Sequence, residues 1–160
     1  YCTKLKTLFC VSYSLCTNIH NLKSLELVCL ESLTAICKED IVDLTQSLSL
    51  SGVFSQLQLR FSICKCHAIE TLLTPGLVPQ LQNLESIIVW NCKPMKEIFA
   101  VSYIGDDDSF NILLPKLTTL DLEFLPQLKT VCKGILVCAS ENILNIRDCP
   151  NIEELHKICR

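Results

Sequence analysis

The feature that most limits how this chain can fold is a spacing that recurs six times. Cys2 is followed at three and six residues by Leu5 and Leu8, Leu30 by Leu33 and Ile36, and Cys66 by Ile69 and Leu72. The same steps lead from Cys92 to Met95 and Ile98, from Leu125 to Leu128 and Val131, and from Cys149 to Ile152 and Leu155. Every anchor but the first is preceded, five and three positions back, by two apolar residues. These are Leu25 and Leu27, Phe61 and Ile63, Ile87 and Val89, Leu120 and Leu122, and Leu144 and Ile146. Leu22, Leu84 and Leu117 add a third, eight positions back. The anchors lie 28, 36, 26, 33 and 24 residues apart, so the units are irregular and carry insertions of different length.

The pattern L-x-L-x-x-N/C-x-x-L is that of a leucine-rich repeat. In each L-x-L the two apolar side chains point to one face of a short strand and the residues beside them to the other. One such strand cannot bury its apolar face alone, whereas stacked parallel strands form a continuous core. The expected class is α/β: a curved leucine-rich-repeat solenoid with a short parallel sheet on its concave face and loops and short helical turns on its convex face. Residues 1–160 read as one domain of about six repeats. The first unit has only two positions up to its Cys2 anchor, so it reads as truncated and the chain as a fragment. The pattern is interrupted between Lys38 and Val53. Leu57 and Leu59 fall one residue out of register, which predicts a slip or bulge near Arg60.

Composition supports a packed protein and removes some partners. Apolar residues make up 49% and charged ones 19%, which is globular rather than disordered. The net charge of -3 provides no basic surface for nucleic acid. The longest apolar run, Ile135 to Ala139, is far too short to span a bilayer, so no membrane insertion is expected. Twelve cysteines fall under the density of a disulfide scaffold, and no Asn-x-Ser/Thr acceptor occurs. Reduced thiols and a cytoplasmic location are the expectation.

The groups able to do chemistry are scattered. Cys64, Cys66 and His67 form C-K-C-H, which lacks C-x-x-C spacing and a fourth ligand, and the repeat puts Cys66 inside and Cys64 outside. No metal site is expected there. His20, His67 and His156 fall in three different units, so none is placed to activate a cysteine nucleophile. Neither a catalytic residue nor a cofactor-binding one is expected. Asp106, Asp107 and Asp108 lack the alternation of a calcium loop and read as a solvated insertion. An anchor cysteine reads as scaffold, because Leu30 and Leu125 fill the same slot.

Binding by such a scaffold is read from the outward strand positions. They are Glu26, Val28 and Cys29; Ser62, Cys64 and Lys65; Ile88, Trp90 and Asn91; Asp121, Glu123 and Phe124; and Asn145, Arg147 and Asp148. At a strand spacing of about 4.8 Å these form three columns across the concave face. Trp90 is expected beside Glu123 and then Arg147, and Asn91 beside Phe124 and then Asp148. With Ile88 and Asp121 these residues make the candidate protein-contact surface, since exposed Trp near Arg is typical of an interface hot spot.

The stretches LQNLESIIVWNCKPMKEIF, LPKLTTLDLEFLPQLKTVC and ILNIRDCPNIEELH resemble the C-terminal leucine-rich repeats of plant coiled-coil nucleotide-binding leucine-rich-repeat immune receptors. The closest units are Cys92-Lys93-Pro94-Met95-Lys96-Glu97-Ile98 and Cys149-Pro150-Asn151-Ile152-Glu153-Glu154-Leu155, each with a proline behind the anchor. The resemblance implies a protein-interaction module that helps recognise a pathogen effector, or a host protein guarded by the receptor. It also implies an intramolecular contact that holds a nucleotide-binding region inactive. No Gly-x-x-x-x-Gly-Lys-Ser/Thr loop is present, so ADP or ATP would bind a domain outside this chain. The substrate receptors of F-box ubiquitin ligases have similar Cys-rich repeats. They usually continue after the cysteine with an Ile-Thr-Asp-like stretch, which is absent here. Plant receptor ectodomains typically carry Asn-x-Leu-x-Gly-x-Ile-Pro, also absent.

Overall fold

The computed structural model describes residues 5–10, 24–38, 59–74, 81–100, 111–139, 143–153 and 158–159. The repeats form a coil of parallel strands with sheets on more than one side. Five strands make the main sheet: β2 (Ser24–Val28), β4 (Leu59–Cys64), β6 (Leu84–Trp90), β9 (Thr119–Glu123) and β11 (Ile143–Arg147), in the order β11-β9-β6-β4-β2. All four pairings are parallel. Leu25, Phe61, Ile87, Leu120 and Leu144 lie in one row, and Leu27, Ile63, Val89, Leu122 and Ile146 in another. This is the register expected from the anchors.

Between Leu59 and Arg60 the pairing slips: Leu59 faces Leu84 while Arg60 faces Ser86, so Glu85 bulges from β6. The displaced leucine found in the sequence is thereby returned to its row. The Glu85 carboxylate reaches Arg60 at 3.7 Å, and its carbonyl accepts the Thr118 N–H at 2.9 Å.

Past each anchor the chain turns. The anchor carbonyl accepts the N–H three residues on, Leu30 from Leu33, Cys92 from Met95, Leu125 from Leu128 and Cys149 from Ile152. Pro126 and Pro150 occupy the first central position of two of these turns, where their fixed φ suits the bend. Short parallel strands follow: β1 (Thr7–Cys10) pairs with β3 (Ala35–Lys38), and β5 (Thr71–Leu73) with β7 (Glu97–Phe99). Thr34 donates to the Lys6 carbonyl at 2.9 Å, so the first unit stacks in the register that its Cys2 anchor predicts.

On the return side β8 (Asn111–Leu114), β10 (Ile135–Cys138) and β12 (Ile158–Cys159) form a further parallel sheet of three strands. The sequence led to an expectation of short helical turns on the convex side. Among the described residues that side holds strands and loops and no helix. Ile112, Leu114 and Leu136 point inward from these strands and are fully buried.

The core is the interior of the coil. Ile63, Cys66 and Ile69, then Ile87, Val89, Cys92, Met95 and Ile98, then Leu122, Leu125 and Leu128 have no exposed surface. Each unit covers the flank of the one before it, as stacking requires. The inward side chains of the Cys149 unit are less covered: Ile146 and Ile152 are half-buried and Leu144 is 38% exposed.

Candidate protein-contact surface

The strand exits define the geometry of the concave face. The residue before each anchor, Cys29, Lys65, Asn91, Phe124 and Asp148, has φ between 52° and 56°, in the left-handed region. Only Asn and Asp among these five tolerate that region readily. The stacking compensates at the first four, whose N–H groups donate to the next strand. Cys29 donates to Cys64 O, Lys65 to Trp90 O, Asn91 to Glu123 O and Phe124 to Arg147 O, at 2.9–3.1 Å. The ladder thus runs one residue past the strands and points the last column back over the sheet.

The anchor cysteines explain the other side of that turn. Cys66, Cys92 and Cys149 each direct Sγ at the carbonyl two residues before them, at 3.6, 3.6 and 3.2 Å. Each also reaches the preceding unit, at Leu27 O, Ile63 O and Leu122 O, at 3.7–3.8 Å. The neighbouring Cys66 thiol and burial push the Cys92 thiol up, while Cys92 draws the Cys66 thiol down against the effect of burial. Burial raises Cys149, and the charges of Asp148 and Glu123 add to it. The buried anchor thiols therefore tie strand exits together from inside the core. Cys64, half-buried on the outward face, does not share the Cys66 environment. Among the described residues no three His, Cys, Asp or Glu side chains converge as a metal site would need. His67 is exposed. His20, His156 and the Asp106–Asp108 run lie outside the described residues.

Ile88 faces Asp121, and Trp90 faces Glu123, which in turn faces Arg147. The column of Trp90, Glu123 and Arg147 read from the sequence is therefore formed. Trp90 is half-buried and meets Phe124 edge-on, with ring centroids 6.1 Å apart and planes at 88°. Phe124 is 45% exposed, Ile88 37% and Val28 47%. Arg147 Nη1 lies 3.5 Å from Glu123 Oε1. Asn91 and Asp148 flank Phe124 in the last column, and a groove of about 690 Å³ opens there between Phe124, Pro126, Ile146, Pro150 and Ile152. Ile146 and Ile152 belong to the inward set, so this groove opens on the flank of the Cys149 unit, where a further repeat would stack.

Two contributors were missed in the sequence. The Lys65 ammonium sits 5.0 Å from the Trp90 ring centroid, a cation–π contact. Asn145 Nδ2 donates to both Asp121 Oδ1 at 2.8 Å and Glu123 Oε1 at 3.1 Å, holding two carboxylates close. Both residues were in the outward columns. Their roles depend on the left-handed turn and on cross-strand reach, which a repeat spacing does not encode.

Residues 44–159, more than two thirds of the chain, match the family described as plant disease resistance protein RPS2-like, leucine-rich repeats. The chain belongs to that family. A 91-residue stretch of these resistance-protein repeats, 56% of the chain, is 32% identical to the probable disease resistance protein At4g27220 of Arabidopsis thaliana. That stretch spans only 10% of the relative's length. No solved structure matches the chain. The match lies with resistance-protein repeats and gives no support to the F-box alternative. Among the described residues no helix is long and apolar enough to cross a membrane.

Proposed function

We propose that these repeats act by binding protein, not by catalysis, within a cytoplasmic plant resistance protein. The concave face contributes to recognition of a pathogen effector or of a host protein that an effector alters. In the resting state the same repeats contact an adjoining nucleotide-binding region, which holds ADP or ATP, and restrain it. A bound partner then shifts the balance between two receptor states by binding one of them better. The repeats themselves need no cofactor.

The observation that carries this reading is the Trp90–Phe124 pair, two aromatic rings held together on the outward face of the sheet instead of in the core. Aromatic residues at such a position contribute binding energy when a partner covers them. The experiment is to express the full-length protein carrying Trp90→Ala and Phe124→Ala in leaf tissue. Its co-precipitation with the separately expressed nucleotide-binding region and its triggering of cell death are then measured. A weakened contact, with either loss of response or response without a trigger, is expected. Unchanged binding and unchanged response in a normally accumulating variant would rule the surface out.

A further inference from the structure

The apolar side chains on the concave sheet are bordered by carboxylates on one side, and this asymmetry bears on the kind of partner that fits, given the contact role proposed above. Ile88 and Trp90 face outward from one strand, and their direct neighbours one strand over are Asp121 and Glu123. Two carboxylates two residues apart on one face repel each other. Asn145 keeps them close by donating to both. Among the described residues the cation paired with either is Arg147, 3.5 Å from Glu123 with 69% of its side chain exposed. A long pair in solvent offsets little of that charge. Lys65 is engaged at the Trp90 ring and directly follows β4, on the side away from Asp121 and Glu123.

We propose that the concave face docks a protein segment of basic and apolar character. Such a segment lays an aliphatic or aromatic side chain on Ile88, Trp90 and Phe124 and sets a lysine or arginine between Asp121 and Glu123. The strands lie about 4.8 Å apart and an extended chain rises about 3.3 Å per residue, so the two partner residues are one or two positions apart. Burying the apolar group supplies affinity. The carboxylates supply selection, because an acidic segment in the same place is repelled by Asp121, Glu123 and Asp148.

The test pans full-length protein against a phage library of short random peptides and re-measures the enriched sequences, as synthetic peptides, by fluorescence anisotropy. Thermal melts matched to wild type exclude misfolded variants. Enriched peptides are expected to carry an aromatic or branched aliphatic residue one or two positions from Lys or Arg. Their binding should weaken roughly tenfold on Phe124→Ala and on the pair Asp121→Asn with Glu123→Gln, and should weaken with added salt. Peptides that need Phe124 but are acidic, or are indifferent to the carboxylate pair, would overturn the basic-segment inference and leave the contact surface standing. Binding unaffected by Phe124→Ala and Trp90→Ala, or no enrichment at all, would count against both.

Discussion

The rings of Trp90 and Phe124 meet in a T-shape with centroids 6.1 Å apart, between neighbouring repeats and on the side of the sheet away from the core. Phe124 comes back over the sheet because its backbone is left-handed, with φ at 55°. An aromatic pair of this geometry contributes about 0.5–1.5 kcal/mol beyond the area it buries. A double-mutant cycle with Trp90→Ala, Phe124→Ala and both, read by urea unfolding, should return a coupling in that range. A cost of several kcal/mol for Trp90→Ala alone would mean that its ring is core and not surface.

Strain at the strand exits can be tested at Cys29, whose φ is 56°. Asn tolerates this region better than Cys, and a β-branched residue far worse. Cys29→Asn should therefore raise stability by up to about 1 kcal/mol, and Cys29→Val should lower it by about 1–2 kcal/mol. Equal melting temperatures for the two variants would show that the exit turn relaxes in solution.

Those exits also show where the sequence stops being informative. The rows of Leu27, Ile63, Val89, Leu122 and Ile146 were legible because strand alternation and the anchor spacing are local and repeated. The bulge at Glu85 was legible as a displaced Leu59. The return strands were not: Ile112 and Leu136 each lie 13 residues before the next anchor, but a step carried by two units does not show that the segments pair as strands, and their pairing is fixed only once the coil has closed. On the concave face the columns of Trp90 and Phe124 followed from register. The Lys65 ammonium over the ring and the Asn145 bridge depend on side-chain reach across strands, which register alone does not give.

The core and the concave face should respond differently to truncation. Ile63 and Ile88 are both strand isoleucines, but Ile63 is fully buried while Ile88 is 37% exposed. Ile63→Ala removes packed atoms from a filled interior and should cost about 2–5 kcal/mol. Ile88→Ala should cost less than about 1 kcal/mol, because most of what it loses is surface that water already reached. Chemical denaturation of the two variants gives the comparison directly, and similar costs would contradict the inside–outside assignment of β4 and β6.

Alkaline pH should destabilise the fold in part through Cys149. Burial, with the charges of Asp148 and Glu123 behind it, raises this thiol in the folded state above its ordinary value of 9.0. A group raised on folding contributes stability that is complete below the unfolded value and is lost as pH climbs above it. Thermal unfolding of the wild type should therefore fall off above about pH 9. In Cys149→Val the thiol is gone, so the decline over the same range should be shallower, though the variant starts lower because the bonds from Sγ to Leu122 O and Arg147 O are lost. Parallel declines in the two proteins would show that Cys149 ionises in the folded state as freely as in the unfolded chain, and that its burial at the strand exit is not maintained in solution.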